Sequence, residues 1–469
     1  MATLWDKEAD VVILGYGGAG AAAAISACDA GAKVIVVEKD RGGGNTRLAT
    51  LTFFCPAEKP AAIEHIRALS FGMVDVETIS AFVDWSSKNF EFIRDLGGEV
   101  EICPPGPTFP KLPGSDSMVR YRVKGEKDEL GGASLWRLLS ENVLKRNIEI
   151  CFQTAARKLV RSGDAIAGVE TEQGAKIHAR RGVVLATGGF EYNEEMKKQY
   201  LAGYPIHAFG HSGNQGDGIK MAQEVGADLW HMRAVAAPMG YKFPEYDAAF
   251  IMRMPANGFV IVDQKGRRFC NETGLEHYSM WMEVTRFDME ELKYSRIPCY
   301  LIFDEETRLR GPISRVGHGA NRGYEWSPDN SAEIERGWIV SGDGAAELGR
   351  KLGIASVAGL KSTLTVYQDA CRMRRDEEFG RAAETLVALK GRLYGVSLWP
   401  CLLNTQGGPR RNARGEILDV WGNAIKRLYG AGELGSVWGL LYQSGGNLGE
   451  CLASGRMAGS HAASETPVN

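Results

Sequence analysis

The sequence predicts an α/β protein, because short apolar strands that end in glycine turns alternate with helical patterns. The first apolar run, Asp10–Leu14, leads directly into the glycine-rich segment Gly15–Gly20, which opens an alanine-rich helix. A second apolar run, Lys33–Glu38, follows that helix at the spacing of a parallel βαβ unit. Strands that end in glycine recur at 179–189 and 428–432. A chain of 469 residues with this pattern near both ends is long enough for two or three domains.

The composition argues against several classes of function. Hydrophobic residues make up 44% of the chain and charged residues 24%, and the formal net charge is -3 with no long basic run. This balance argues against binding to nucleic acid or to a membrane surface. The 9 cysteines are scattered, without CxxC spacing or a histidine at ligand spacing, so we expect reduced thiols and no metal site. No run approaches the roughly 18 apolar residues of a membrane span, and the first residues lack a leader pattern, so we expect a cytoplasmic protein without membrane insertion.

The first βαβ unit predicts a dinucleotide site. Gly15 allows a tight turn, Gly17 lets the backbone approach a pyrophosphate, and Gly20 lets the helix pack closely on the strand. Glu38 ends the second strand, where its carboxylate can accept hydrogen bonds from ribose hydroxyls. A glycine loop that only caps the helix is the alternative, but the complete strand–loop–helix–strand context favours the dinucleotide.

A second glycine loop, Arg41–Arg47, follows the ribose-binding strand. NAD needs no such loop, whereas the longer FAD molecule suits a second backbone cradle; an ordinary surface loop is the alternative. The later strand at 179–185 ends in Ala186-Thr-Gly-Gly189, a common close of FAD-binding Rossmann domains. We therefore predict an α/β fold with a Rossmann-like FAD-binding domain.

The order of the motifs carries a family resemblance. The GxGxxG segment with Glu38, Gly43-Gly-Asn-Thr46, Ala186–Gly189, Gly216-Asp-Gly218 and Ala431-Gly-Glu433 occur in sequence over nearly the whole chain. The sequence resembles the flavoprotein family of fumarate reductases, succinate dehydrogenases and 3-ketosteroid dehydrogenases. The resemblance implies FAD, held noncovalently because no histidine lies near the second glycine loop. It also implies that the FAD-binding domain carries an inserted α+β capping domain for the substrate, with predicted boundaries of 1–234 and 361–469 for the FAD-binding domain and 235–360 for the capping domain. It assigns cofactor contacts to Gly15, Gly17, Gly18, Ala19, Gly20, Glu38, Lys39, Gly43, Gly44, Asn45, Thr46, Ala155, Thr187, Gly188, Gly189, Asp217, Glu433, Gly446, Asn447 and Leu448.

The resemblance also excludes a dicarboxylate substrate. In the fumarate and succinate enzymes, arginines and a histidine hold the two carboxylates. The corresponding stretches here are Leu403–Thr405, Thr273–Tyr278 and Gln443–Asn447, and they lack that set of cations. A dicarboxylate would lose two charge-assisted pairs, on the order of several kcal/mol. We therefore do not expect fumarate or succinate to be the substrate.

The segment Tyr442–Gly446 resembles the ketosteroid dehydrogenases, in particular the Δ4-type pattern. The resemblance implies that the Tyr442 hydroxyl and the Gly446 N–H hold a ketone oxygen, with Ser444 adding to the site. Tyr278 is the candidate acid/base residue that takes the α-proton, while the β-carbon gives a hydride to flavin N5. The alternatives are an aromatic wall for Tyr442, a helix N-cap for Ser444 and a packed core or interface tyrosine for Tyr278.

These observations predict an FAD-dependent desaturation of the α,β-bond of a cyclic ketone, with a 3-ketosteroid as the leading substrate. A smaller cyclohexanone-type ketone remains open as a substrate, and an ene-reductase of a conjugated ketone or acid is the alternative reaction. A flavoprotein that uses FAD only structurally, or as an isomerase, is the rival from another class. The expected partner is a small apolar ketone, and the sequence identifies neither the electron acceptor nor the oligomeric state.

Overall fold

The computed structural model of the protein describes residues 4–49, 52–103, 109–125, 131–276 and 278–468. The chain forms two compact units. The first comprises Met1–Met196, Gly210–Val235 and Asn404–Asn469, and the second comprises Lys197–Phe209 and Ala236–Leu403. Residues 361–403, predicted to belong to the FAD-binding domain, thus lie in the second unit. The physical reason is that the strand Leu393–Leu402 is central to the sheet of that unit.

The helices are α1 (Gly18–Asp29), α2 (Gly44–Leu48), α3 (Lys59–Ser70), α4 (Val76–Ser86), α5 (Asn89–Asp95), α6 (Gly131–Lys145), α7 (Glu194–Tyr200), α8 (Asp217–Glu224), α9 (Trp281–Val284), α10 (Glu305–Leu309), α11 (Ser331–Glu335), α12 (Ala345–Leu352), α13 (Val357–Met373) and α14 (Gly446–Ser464). The strands are β1 (Lys7–Leu14), β2 (Val34–Val37), β3 (Phe53–Pro56), β4 (Val100–Ile102), β5 (Met118–Val123), β6 (Glu149–Cys151), β7 (Ala156–Ser162), β8 (Ala165–Thr171), β9 (Lys176–Leu185), β10 (His207–Ala208), β11 (Leu229–Trp230), β12 (Val235–Ala236), β13 (Met239–Tyr241), β14 (Phe250–Ile251), β15 (Phe259–Val262), β16 (Cys299–Asp304), β17 (Val340–Gly342), β18 (Leu393–Leu402), β19 (Asn404–Thr405), β20 (Gly408–Pro409), β21 (Glu416–Leu418) and β22 (Ala424–Gly430).

The first unit is built on a mostly parallel sheet in the order β21-β22-β9-β1-β2-β6. Strands β22, β9, β1, β2 and β6 run parallel, and β21 and the β7–β8 hairpin pair antiparallel. The run Ala9–Leu14 of β1 is buried throughout, as expected for a parallel strand covered on both faces. The first glycine turn and the Ala186–Gly189 turn both follow the carboxyl ends of these strands. Ligands of open α/β sheets bind at this edge.

Helices α1 and α14 pack closely against each other through small residues. A Cβ added to Gly455 would lie 2.5 Å from the carbonyl oxygen of Ala19, and one added to Gly459 would lie 2.3 Å from that of Ala23. Both helices also begin in a glycine turn, at Gly17 and at Gly445. The close contact therefore holds together two helices whose N-termini carry several of the predicted cofactor contacts.

The second unit contains a mixed sheet in the order β14-β13-β18-β16-β15, with β10 and β17 also paired to β18. A buried ion network joins two of its segments: Arg268 bonds to Glu272 at 2.8 Å and to Asp376 at 2.9 Å, and Arg381 lies 3.4 Å from Glu272. Arg267, the neighbour of Arg268, is instead half-exposed. The two neighbouring guanidiniums thus differ, because Arg267 bonds to Asp263 near the surface whereas Arg268 lies buried between two carboxylates.

Candidate functional site

The first glycine turn has the geometry that its sequence predicts. Gly15 has φ +97, and a Cβ on it would lie 2.5 Å from the carbonyl oxygen of Ala186. A Cβ on Gly20 would lie 2.0 Å from the carbonyl oxygen of Gly15, so the helix can approach the strand only with glycine there. Gly17 differs, because a Cβ on it would meet only Gly43, at 4.0 Å. Gly17, Gly18, Ala19 and Gly20 form the first turn of α1, where free N–H groups favour an anion.

The second glycine loop lies beside the first. The Gly18 N–H donates to Thr46 Oγ1 at 3.0 Å, and the Gly43 N–H donates to the Tyr16 carbonyl at 2.7 Å. Gly43 has φ +94 and Gly44 φ +44, and a Cβ on Gly44 would meet only Gly17, at 4.0 Å. A Cβ on Gly17 or Gly44 therefore finds room beside the two loops, whereas one on Gly18 would lie 2.6 Å from Thr46 Oγ1.

Glu38 lies where a ribose-binding carboxylate is predicted. Its Oε2 accepts the Tyr16 N–H at 2.6 Å and its Oε1 accepts the Asp40 N–H at 2.8 Å. A carboxylate offers about four lone-pair positions, so these two bonds orient Glu38 and leave acceptor capacity. Ala155 is distant from Glu38 in the sequence but near it in the fold, because the N–H of its neighbour Thr154 donates to the Glu38 carbonyl. Lys39 and Asp217, both predicted to contact the cofactor, form an ion pair with each other at the start of α8.

Two buried carboxylates meet behind the second loop. Glu433 accepts hydrogen bonds from Asn404 Nδ2 at 2.7 Å, from the Thr405 N–H at 3.2 Å and from Asn45 Nδ2 at 3.2 Å. The same Asn45 amide donates to Glu191 at 2.8 Å. The side chains of Asn45 and Glu433 thus form an internal network, and Glu191 is a member that the sequence did not predict. A sequence signal was available, because Glu191 lies two residues after the predicted Gly188-Gly189 turn.

The environment of the pair perturbs both carboxyls. Burial raises the pKa of both, and the adjacent charge of Glu191 raises that of Glu433 further, well above its ordinary value. Both side chains are buried. Gly188 and Gly189 leave room for this network, because a Cβ on Gly189 would lie 2.3 Å from Glu433 Oε1.

The turn before α14 departs from the predicted roles. The Gly446 N–H, predicted to hold a ketone oxygen, donates to the Gln443 carbonyl at 2.8 Å, because Gly445 with φ +81 folds the chain back on itself. The Gly446 N–H is thus bonded within the turn in this structure, and its bond to a ketone oxygen stays a prediction. Gly445 is the N-cap, so Ser444 is not a helix cap. The Tyr442 hydroxyl instead accepts the Asn447 N–H at 3.3 Å, which brings the tyrosine to the helix end.

Asn447 is the clearest sign of a missing ligand in this turn. It is 7% exposed, yet neither its Oδ1 nor its Nδ2 has a hydrogen-bond partner among the described residues. The buried Thr187 hydroxyl, after β9, also lacks a partner within the described ranges. Buried polar atoms are rarely left unsatisfied, so both side chains indicate contact with a bound group. Leu448, next to Asn447, is buried at the same helix end.

Two residues outside the predicted set reach the turn from distant segments. Arg120 on β5 donates from Nη1 to Ser444 Oγ at 3.1 Å. His65 on α3 is fully buried, with Nε2 3.1 Å from Gln443 Oε1 and Nδ1 2.9 Å from the Pro113 carbonyl. No local pattern predicts these contacts, because the partners are 324 and 378 residues apart in the sequence.

Tyr278 belongs to the second unit. Its side chain hydrogen-bonds to Arg315, and because a guanidinium has only donors, the phenol oxygen accepts. Burial lowers the pKa of Arg315, and the nearby charge of Arg253 lowers it further. The sequence did not single out Arg315, whose position depends on the Met252↔Ser314 bridge.

The first unit fits FAD. The open space between Gly17 and Gly44 at the α1 N-terminus suits a pyrophosphate, and Glu38 suits a ribose. The unpartnered Asn447 amide and the α14 N-terminus suit the polar edge of a flavin ring. Among the described residues no group of three or more His, Cys, Asp or Glu side chains is placed to hold a metal, and no helix there is long and apolar enough to cross a bilayer.

Comparison with known proteins agrees with this fit. A family model described as an FAD binding domain matches residues 10–448. An NADH:fumarate oxidoreductase of Klebsiella pneumoniae (strain 342) is 27% identical over 97% of this chain and 48% of its own length. This chain thus spans about half the length of that relative. A 3-oxosteroid 1-dehydrogenase of Mycolicibacterium smegmatis is 31% identical over 63% of this chain and 54% of its own length.

A solved structure shares the fold over both chains. The 3-ketosteroid delta1-dehydrogenase of Sterolibacterium denitrificans, in complex with 1,4-androstadiene-3,17-dione, superposes with a TM-score of 0.84 at 21% identity. The alignment covers 97% of this chain and 99% of that chain. The predictions of an α/β flavoprotein fold with a capping domain, of an oxidoreductase and of FAD as the cofactor are confirmed by these matches.

Proposed function

We propose, on the premise that the chain belongs to the FAD-binding-domain family of flavoprotein oxidoreductases, that it desaturates the α,β-bond of a cyclic ketone. A 3-ketosteroid is the leading substrate, and a smaller cyclohexanone-type ketone is the next. The observation that carries the proposal is the pairing of Tyr442 and Ser444 at the N-terminus of α14, where two hydroxyls lie beside a helix dipole.

FAD would be held by backbone groups of the two glycine loops, by Glu38 and by the Asn447 side chain. When bound, it supplies a two-electron acceptor that takes a hydride from carbon. These groups bind and orient the cofactor, and the remaining residues act on the substrate.

The residues of the turn would polarise the ketone. The Tyr442 and Ser444 hydroxyls donate toward the ketone oxygen, and the positive end of α14 favours the charge that develops there. Gly446 contributes through the shape of the turn, since its N–H is already bonded to Gln443. Tyr278 is the proposed base for the α-proton, and Arg315 would orient its phenol. Polarisation acidifies the α-carbon, so proton removal and hydride loss can occur at neighbouring carbons.

The similar proteins support the proposed flavin chemistry, and their names include both dehydrogenases and reductases. The two steroid dehydrogenases named above act on ring ketones by their names, whereas the Klebsiella relative is named for fumarate. A digoxin reductase of Eggerthella lenta, 26% identical over 99% of this chain and 88% of its own length, favours a second candidate. That candidate is an ene-reductase, in which the same hydroxyls polarise a conjugated ketone or acid while the bond is reduced.

An anaerobic ketone screen tests the proposal. The flavin absorbance of the holoprotein is followed while saturated 3-ketosteroids and cyclohexanones are added, and again after chemical reduction while conjugated ketones are added. We expect bleaching in the first arm for a desaturase and recovery in the second arm for an ene-reductase. A flavin that dithionite bleaches but that no ketone bleaches or restores would contradict both candidates and favour a structural cofactor.

A further inference from the structure

The guanidinium of Arg120 reaches the turn before α14 and contacts Ser444. Arg120 lies on β5, opposite Phe54 of β3, and its backbone carbonyl accepts the Cys103 N–H at 2.9 Å. The strand thereby fixes the half-buried side chain, whose Nη1 donates to Ser444 Oγ at 3.1 Å. Ser444 lies one residue before the N-cap of α14 and two residues after Tyr442.

The far side of the turn is also fixed. Gln443, between Tyr442 and Ser444, is fully buried and lies 3.1 Å from Nε2 of the fully buried His65. The Leu441 N–H donates to the Leu69 carbonyl at 3.1 Å, so helix α3 supports the segment a second time. Ser444 therefore meets Arg120 in one defined geometry, because the residues before it are anchored to α3.

The bond direction determines what Ser444 can offer. A guanidinium carries only donors, so the serine oxygen accepts from Arg120 through a lone pair. A hydroxyl that accepts from a cation becomes a stronger donor through its own proton. Such a donor favours an acceptor oxygen that bears negative charge over a neutral one.

We propose that Arg120 and Ser444 form an oxyanion-binding pair, in which Arg120 acts through Ser444 on an enolate or phenolate oxygen of the ligand. The proposal rests on the proposed function and adds a positioning residue to it. When the base takes the α-proton, the electron pair of the broken C–H bond forms the new C=C bond. The former C=O π pair then becomes the negative charge of the oxygen, which is the charge that the pair stabilises.

A phenol titration tests the pair without turnover. 4-Nitrophenol is added to the oxidised holoprotein across a pH series, and the bound phenolate is measured by its absorbance. We expect the wild type to bind the phenolate in preference to the phenol, which lowers the apparent pKa of the bound ligand. Arg120→Gln should raise the Kd of the phenolate about 10- to 100-fold, with a smaller effect on the neutral phenol. Arg120→Lys, which keeps the charge, should restore part of the affinity.

Arg122 provides the matched control. It lies on the same strand and pairs with Glu101 of β4, away from the turn, so Arg122→Gln should leave the phenolate affinity unchanged. Ser444→Ala should weaken phenolate binding as Arg120→Gln does, and the double variant should lose little more than either single variant, since the arginine acts through the serine.

Two results would overturn the proposal: a wild type that fails to bind phenolate in preference to phenol, or an Arg120→Gln variant whose phenolate affinity matches the wild type. If Arg120→Gln fails to retain flavin, Ser444→Ala decides the outcome by the same criterion. The proposed function fails by a different observation, the absence of any ketone that changes the flavin spectrum, so the two failures are distinguishable.

Discussion

The chain contains two glycine turns that each open a helix, and they bind in different ways. The turn Gly15–Gly20 before α1 uses its backbone: its glycines set the close packing, and Gly17 leaves open space. The turn Tyr442–Asn447 before α14 uses side chains instead. Its Gly446 amide is bonded internally, and its hydroxyls are held by Arg120 and by the Asn447 N–H.

Under the proposed function, this difference separates a surface that binds the cofactor from one that acts on the substrate. A pyrophosphate is recognised by rows of N–H groups, which any sequence of the right backbone shape supplies. A ketone is activated by particular hydroxyls, which must be held by residues from elsewhere in the fold. We therefore expect changes in the first turn to affect cofactor retention or folding, and changes in the second to affect chemistry.

The largest effect is expected at the first turn. Gly17→Val places a side chain in the open space toward Gly43, so flavin content after purification should fall below about a tenth of the wild type. The fold should persist, because a Cβ at Gly17 comes no closer than 4.0 Å to any residue apart from its chain neighbours. Flavin absorbance per protein and urea unfolding measure the two properties. Full flavin retention would contradict the proposed pyrophosphate position.

Gly20→Ala is the matched variant in the same turn. Its Cβ would lie 2.0 Å from the Gly15 carbonyl, so the loss should appear as a lower free energy of unfolding, about 3 kcal/mol or more. If the two glycines behaved alike in both measurements, the distinction between packing and ligand space within this turn would be wrong.

A smaller effect is expected where the second turn is anchored. Glu450 of α14 accepts from Arg411 Nη2 at 2.6 Å and from Ser436 Oγ at 2.6 Å, and Arg411 also donates to three carbonyls between Gly430 and Gly435. Glu450→Gln would leave Arg411 buried and partly unpaired, so it should cost ~3–5 kcal/mol in the free energy of unfolding. Denaturant unfolding provides the value.

Asp164→Asn is the control for that measurement, because the Asp164–Lys426 pair is exposed. It should leave the unfolding midpoint unchanged within error. An equal loss of unfolding free energy in both variants would mean that burial does not determine how much the Arg411–Glu450 pair contributes to stability.

The smallest effect is a change in pH dependence at the buried carboxylate pair. The pKa of Glu433 is raised above its unfolded value of 4.5, so the folded state keeps a proton that the unfolded chain releases. This contribution to stability is complete below pH 4.5 and is lost as the pH rises toward the folded pKa. Glu433→Gln, which stays neutral, should flatten the fall of Tm as the pH rises above 4.5. An unchanged slope would show that Glu433 is ionised in the folded protein.

The sequence predicts the first turn better than the second, and the reason is the range of the contacts. Gly15, Gly20, Glu38 and the Gly43–Thr46 loop lie within one βαβ unit, so spacing alone carries their geometry. The hydrogen bond of Ser444 to Arg120 joins residues that lie 324 positions apart in the sequence. Arg120 and His65 follow no motif, and only the folded chain brings them to the turn.

Two further differences have the same origin. The Gly446 N–H donates to the Gln443 carbonyl because Gly445 has a positive φ. This is a property of the local backbone that residue types do not specify. The unit boundary at 403 reflects the pairing of β18 with four strands from the second unit and lies beyond the predicted boundary at 361. Glu191 was not predicted as a site residue, although the sequence carries a signal for it: it lies two residues after a predicted glycine turn.

The most direct test of the account compares Tyr442→Phe with Tyr429→Phe in anaerobic single turnover with the best ketone from the screen. Tyr429 is a buried tyrosine of β22 whose hydroxyl bonds to Glu465, so it controls for the loss of a hydroxyl. We predict that Tyr442→Phe slows flavin bleaching about 10²- to 10³-fold, as expected for loss of an oxyanion donor, while Tyr429→Phe retains the wild-type rate. A Tyr442→Phe variant that bleaches at the wild-type rate would contradict ketone activation at this turn.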